Sequence, residues 1–240
     1  MNIRLVLSMG VVFFLIGCGG GSLGSGSGGD VGSSGGAGVD TVFPFDAPNL
    51  TETTKEAYLT EINNARNHTH DCGHYRKDAD GKDAKDADGH YIVDYTGDDT
   101  MPAVDPLTWN DFLYISAAEH SADLEAWNHG VTDQGTAYGR VSHEGSATSS
   151  DWTAQKHSLG RGSTVSERVS NNAYDYGAGE NIAVGTNWPE PKDAIDAWLE
   201  SPGHCKNLMN PVYTEVGMAL VHDDNSYFKY YWTQNLGAGQ

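Results

Sequence analysis

Basic side chains are scarce in this chain. Its 240 residues include 14 Lys and Arg against 33 Asp and Glu, a formal net charge of −19. Phosphate recognition rests on clustered cations, so nucleic acid is excluded as a partner. Electrostatic adhesion to an anionic membrane surface is disfavoured for the same reason. Long apolar runs are also missing. The one candidate, Leu5 to Ile16, is shorter than the ~20 residues a membrane-spanning helix needs. There is no Gly-x-Ser-x-Gly nucleophile elbow, no His-Glu-x-x-His helix and no internal repeat. Cysteine is limited to three residues, Cys18, Cys72 and Cys205.

The first of these explains the N-terminus. Arg4 and the apolar stretch after it have the form of a signal peptide. Leu15-Ile16-Gly17-Cys18 resembles the lipobox of bacterial lipoproteins. The resemblance implies that Cys18 is diacylglycerylated and the chain cut before it, whereas an ordinary signal peptide would leave Cys18 incidental. Residues 1–17 are then the signal peptide, and 18–45 the lipidated Cys with a Gly/Ser-rich tether whose r.m.s. reach is roughly 25–30 Å. Gly19, rather than Asp, implies the outer membrane if the cell is Gram-negative. The membrane, reached through Cys18, is thus an expected partner, and the folded part lies outside the cytoplasm. In that compartment Cys72 and Cys205 form one disulfide, or else remain as buried thiols or a metal pair.

Residues 46–240 read as one domain. A helix capped by Thr51 or Thr53 carries Tyr58, Leu59, Ile62 and Ala65. Residues 73–100, poor in aliphatics, read as an acidic surface insertion with a hairpin around Tyr91-Ile92-Val93. A second helix runs from about 105 to 127, and a third from Pro191 to Leu199, stopped by Ser201-Pro202-Gly203. Residues 128–170 look irregular. Two strands, 215–222 and 227–236, close the chain about the turn 223–226. Helices first and an antiparallel hairpin last define an α+β domain.

Four segments carry a further likeness: Ser142-His143 followed by Arg168; Gly179-Glu180-Asn181-Ile182-Ala183; Ala197-Trp198 through Pro202-Gly203-His204; and Tyr231-Trp232-Thr233-Gln234-Asn235-Leu236-Gly237. In order and type they resemble the CAP superfamily, or SCP domains, named for cysteine-rich secretory proteins, antigen 5 and pathogenesis-related 1 proteins. Cys72-Gly73 and His204-Cys205 look like its disulfide-bearing bacterial branch. The resemblance implies a three-layer α-β-α sandwich with a central antiparallel sheet. It also implies a cleft of two histidines and two acidic residues. His143, Glu180 and His204 match three of these; the fourth position falls on Ser201, with Glu200 next to it as the substitute.

Two imidazoles with carboxylate oxygen suit Zn²⁺ or another divalent cation, with His143, His204 and Glu180 as ligands. The same groups can instead form a hydrogen-bonded network that orders the cleft. Three functions follow: a cell-envelope binding protein with a lipid or protein ligand, a metal-assisted hydrolase of peptide or cell-wall polymer, or a structural envelope protein. The first is favoured, because no activated nucleophile is evident. The aspartate-rich stretch 78–89 lacks the closing Glu of an EF-hand, and Ala84 sits at a ligand position. It reads as a solvated loop rather than a calcium site. His68, His70, His74, His90, His129, His157 and His222 read as surface residues, and His120 as a packing residue.

Overall fold

A computed structural model describes residues 42–87 and 90–239. The signal peptide, Cys18 and nearly all of the tether therefore lie outside the described residues, as do Asp88 and Gly89 of the aspartate-rich loop.

The sheet has four strands: β5 (Thr108–Trp109), β6 (Ala178–Gly185), β7 (Glu215–His222) and β8 (Tyr230–Gly237), in the order β5-β7-β8-β6. The β6–β8 and β7–β8 pairs are antiparallel over eight residues each, and the two-residue β5 joins β7 in parallel. Strand periodicity sorts the side chains onto two faces. Val216, Met218, Trp232 and Leu236 face one way, into a core with Tyr58, Ile62, Trp198 and Leu208. That layer consists of α1 (Glu52–Arg66), α6 (Pro191–Leu199) and α7 (Pro202–Leu208). Ile182, Val184 and Tyr231 face the other way, with Leu124 of α2 (Asp111–Asn128). The result is the expected α+β sandwich, with helices on both faces of the sheet.

The α2 helix packs closely because of one glycine. A Cβ on Gly217 of β7 would fall into the backbone of Leu113 and Tyr114, so only glycine lets the helix approach so near. Asn110 caps α2, accepting from the Phe112 and Leu113 N–H groups. The helix thus begins at 111, after β5, where sequence alone placed its start near 105.

Other segments follow rules that a linear reading does not display. The stretch 128–170 contains three short helices, α3 (Gln134–Tyr138), α4 (Trp152–His157) and α5 (Val165–Asn171), capped by Asp133, Asp151 and Thr164. Helices this short have too few turns for apolar periodicity to show. The helix from Pro191 ends at Leu199 as expected, and Pro202 then starts α7 at its first turn, where a missing N–H costs nothing. Strand β6 was visible only as a motif, because Glu180 and Asn181 are polar yet fully buried.

The β6 strand is an edge strand, and side chains from the helices occupy its outer carbonyls. Trp198 Nε1 donates to the Ile182 carbonyl at 3.0 Å, and Asn207 Nδ2 donates to that of Glu180 at 3.2 Å.

The acidic insertion is a narrow ladder. Strands β1 (His70–Asp71) and β4 (Thr100–Met101) pair at its base, and β2 (His74–Tyr75) pairs with β3 (Val93–Asp94) above. The base is fastened to α7 by the Cys72–Cys205 disulfide, joining residues 133 apart. On the chain-entropy account a closure of that length stabilises the fold by about 5 kcal/mol. Residues at the expected end of the tether are also bound to the domain. Asn171 and Asn172 side-chain oxygens accept from the Phe43 and Phe45 N–H groups, at 2.9 and 2.8 Å.

Candidate functional site

The site lies at the β6 edge, where the two helical layers approach each other. Its centre is Glu180, fully buried on the same face as Ile182 and Val184. A buried carboxylate needs compensation, and Arg168 of α5 supplies it. Arg168 Nη2 donates to both Glu180 oxygens at 2.9 and 3.1 Å. The guanidinium also donates to the carbonyls of Ser163, at 2.8 Å, and His143, at 2.9 Å. One cation thereby fixes both the carboxylate and the loop carrying His143. Asn235, directly across the β6–β8 register, completes the shell. In the amide orientation that satisfies both its polar atoms, its nitrogen donates to Glu180 Oε2 at 3.2 Å. Burial alone would push the Glu180 carboxyl up. Arg168 first, then His120 and His143, drive it well below the ordinary carboxylate range, so Glu180 is ionised.

Because Glu180 can only accept, His143 Nδ1 must be the protonated nitrogen that donates to its Oε1, at 3.0 Å. That fixes the tautomer and places the lone pair on Nε2. His204 of α7 is held through the same atom. Its Nδ1 shares a hydrogen bond with Ser201 Oγ at 2.9 Å, and the Tyr75 hydroxyl of the insertion meets that oxygen at 3.0 Å. Ser201 occupies the N-cap of α7, yet its hydroxyl makes no capping bond there. The imidazole has taken it. The two histidine rings stand 6.3 Å apart between centroids.

The structure thus brings together His143, Glu180 and His204 and leaves Glu200 out. Glu200 is exposed at the C-cap of α6. Two residues beyond the buried Trp198, it lies about 200° around the helix, on the far side from the core. The neighbouring Ser201 meets His204 instead.

Two contributors were not evident from sequence. His120 of α2 is fully buried; its Nε2 donates to the Ser142 carbonyl at 2.9 Å and lies 3.6 Å from Glu180 Oε1. Burial, followed by the Arg168 charge, holds its pKa down to about 3, so it stays neutral. Its spacing with Ala117 and Leu124 marks a packing position, and its partner is a backbone carbonyl 22 residues away. No sequence signal distinguishes that from plain packing. The second contributor is a carboxylate framework behind the loop. Glu119 accepts from Thr153 N and Asn172 Nδ2, and Asp123 from Ser146 and Ser150. Asp151 accepts from Ser163 N and Oγ. The polar stretch 146–162 is thereby tied to α2 and α5.

In front of this network lies a cleft of about 240 Å³, lined by His143, Glu144, Thr164, Val165, Ser166 and Ala178 through Glu180. His204, 1 % exposed, is not part of its lining.

The chain as a whole matches a known family. Residues 59–236 match the Cysteine-rich secretory protein family, CAP, and the chain belongs to it. Over 59 residues it is 42% identical to the uncharacterized protein YkwD of Bacillus subtilis. That match covers 25% of this chain and 20% of the relative, a fifth of the relative's length. Among solved structures, it is similar to an extracellular protein containing a SCP domain from Bacillus anthracis. There the identity is 26%, the TM-score 0.40, and 57% of this chain and 35% of that one are covered. It is also similar to an outer surface protein of Borrelia burgdorferi, at 17% identity and a TM-score of 0.41, over 57% and 80% of the two chains.

Proposed function

We propose that the protein is an extracytoplasmic, lipid-anchored CAP-domain protein of the cell envelope whose cleft binds a small group beside a histidine-held divalent cation. The observation that carries this reading is the pair of imidazoles 6.3 Å apart, each held through Nδ1 by its own partner. Polar partners at one ring nitrogen are the usual means of aiming the other at a metal. His143 and His204 would hold the cation. Glu180 fits less well as a ligand, because Arg168 and His143 already engage both its oxygens. It serves as the orienting carboxylate. A bound Zn²⁺ would supply Lewis acidity to a carbonyl or phosphoryl group in the cleft.

Binding is favoured over hydrolysis. The buried acid–base groups are committed to one another: Glu180 is ionised and paired, and His120 is neutral and enclosed. The cleft is also smaller than the roughly 300–1,000 Å³ of pockets that enclose a drug-sized ligand. It suits a terminal group or short segment of a larger molecule better than a whole sterol. The lipobox at Cys18, the disulfide and the family's secretory character support a place outside the cytoplasm. No described helix is long and apolar enough to cross a membrane.

The test is metal content and Zn²⁺ affinity of the purified protein beside His143→Ala and His204→Ala variants. Stoichiometric Zn²⁺ lost in both variants supports the reading and justifies screening peptides and peptidoglycan fragments. Unchanged Zn²⁺ binding in folded variants removes the metal from the cleft.

A further inference from the structure

A second cluster of ligand-bearing side chains lies away from the cleft, at the C-terminal end of α2. Glu125 and His129 are four residues apart and share one helix face. Asp223 reaches them from the turn between β7 and β8. His129 Nδ1 is 3.0 Å from Asp223 Oδ2 and 3.3 Å from Glu125 Oε1. One donor atom from each residue lies within 4.8 Å of the other two.

The arrangement is fixed before anything binds. Asp223 Oδ1 accepts from Asn225 N and Nδ2, at 2.8 and 3.1 Å, which turns Oδ2 toward His129. The Asp223 N–H is pinned to the Lys229 carbonyl at 2.8 Å. The chain just beyond His129 is lashed to the same turn, with Tyr227 N donating to the Val131 carbonyl at 2.7 Å. Helix end and turn therefore hold their donors in mutual register, as a binding site requires. The contrast with Glu180 lies in what compensates the charge. Among the described residues, no Lys or Arg forms an ion pair with Glu125 or Asp223. Two carboxylates face one imidazole, and with the imidazole neutral the pair of acids matches the charge of a divalent cation.

We propose that Glu125, His129 and Asp223 form a divalent-cation site, separate from the cleft, that clamps the end of α2 to the β7–β8 turn. One imidazole nitrogen with two carboxylate oxygens suits Zn²⁺ or a similar first-row cation, with water completing the shell. Ca²⁺ prefers six to eight oxygens and is a poor match for a histidine ligand. The cation would act by binding the folded state and not the unfolded chain.

Calorimetric titration of the chelator-stripped protein with Zn²⁺ tests this, alongside thermal unfolding with and without the metal. Saturating Zn²⁺ should raise the Tm by roughly 5 °C. His129→Ala, at an exposed side chain, and the isosteric Asp223→Asn should each weaken one Zn²⁺ equivalent at least tenfold and remove most of that rise. In the His143→Ala background this equivalent should persist, so the two sites succeed or fail separately. Unchanged isotherms in His129→Ala and Asp223→Asn would overturn the proposal. Loss of all Zn²⁺ binding in His143→Ala alone would do the same, as would binding of Ca²⁺ without Zn²⁺.

Discussion

The buried group around Glu180 and the surface group around Asp223 are built from the same parts, imidazole and carboxylate, in opposite surroundings. Inside, Arg168 neutralises the carboxylate, and the acid becomes an aiming device for His143. Outside, no guanidinium intervenes, and two acids converge on His129. The difference shows that residue types do not define a role; the compensating charge does. Where the protein supplies the cation, the carboxylate is structural. Where it does not, the carboxylates can receive a cation from solution.

The largest effect should come from removing that internal compensation. Arg168→Met leaves Glu180 buried without its partner and should cost about 3–5 kcal/mol in denaturant unfolding. Arg168→Met/Glu180→Gln should cost less than the sum of the single changes, because the second substitution removes the stranded charge. Strict additivity would mean that the pair is not what holds the cleft.

Acidification should separate the two groups next. His120, at about 3 in the folded state, lies below the ~6.5 of an unfolded imidazole. Its contribution is therefore complete above about pH 6.5 and lost as pH falls toward about 3, with a slope of up to about 1.4 kcal/mol per unit. Glu180 adds to the loss only near and below the ordinary carboxylate range. Glu119 and Asp123, raised by burial, act in the opposite sense and above that range, their contribution being lost as pH rises from the ordinary carboxylate value toward the folded one. The His120 share between about pH 6.5 and 5 is the difference between the parent and His120→Gln, and that variant should lose stability less steeply on acidification across this window. His129 is raised by Asp223 and then Glu125, so its contribution is present at low pH and lost as pH rises through its folded value. The two histidines should tilt the profile in opposite directions.

Smaller still is the effect of Ser201→Ala. It should lower Zn²⁺ affinity at the cleft about tenfold by freeing the His204 ring, while stability changes by about 1 kcal/mol. An unchanged affinity would show that Ser201 does not position His204. Smallest is His129→Ala in metal-free protein, expected within about 0.5 kcal/mol of the parent. A larger loss would mean that the surface group already supports the fold without a cation.

Where the sequence was legible, local pattern and tertiary outcome agreed. Residues 215–222, with the Asp-Asp-Asn-Ser turn after them, read as half of a hairpin and form one. Pro191 begins a helix because its missing N–H matters least there. The motif residues His143, Glu180 and His204 were recognisable by order and do converge. Legibility failed where a residue's partner is distant and its chemistry atypical for its place. Glu180 and Asn181 are polar, and distant partners such as Arg168 and Gln234 make their burial tolerable. Glu200 was the natural acidic candidate beside Trp198, but helical geometry turns it outward, and the neighbour that meets His204 is Ser201. The group at Glu125, His129 and Asp223 joins residues about a hundred positions apart, and nothing in the neighbours of any one of them signals the other two.

The side chains on the outer edge of β6 bear on solubility. An uncovered edge strand is a template on which another copy of the chain can pair, and β6 is eight residues long and almost wholly buried. Trp198 and Asn207 occupy two carbonyls that such a neighbour would otherwise use. Both come from the helical segment that carries His204, so the segment guarding the edge is the one that builds the site. A chain that abandoned the cleft's chemistry would still need Trp198 and Asn207, because an edge stripped of them would offer open carbonyls to a second copy.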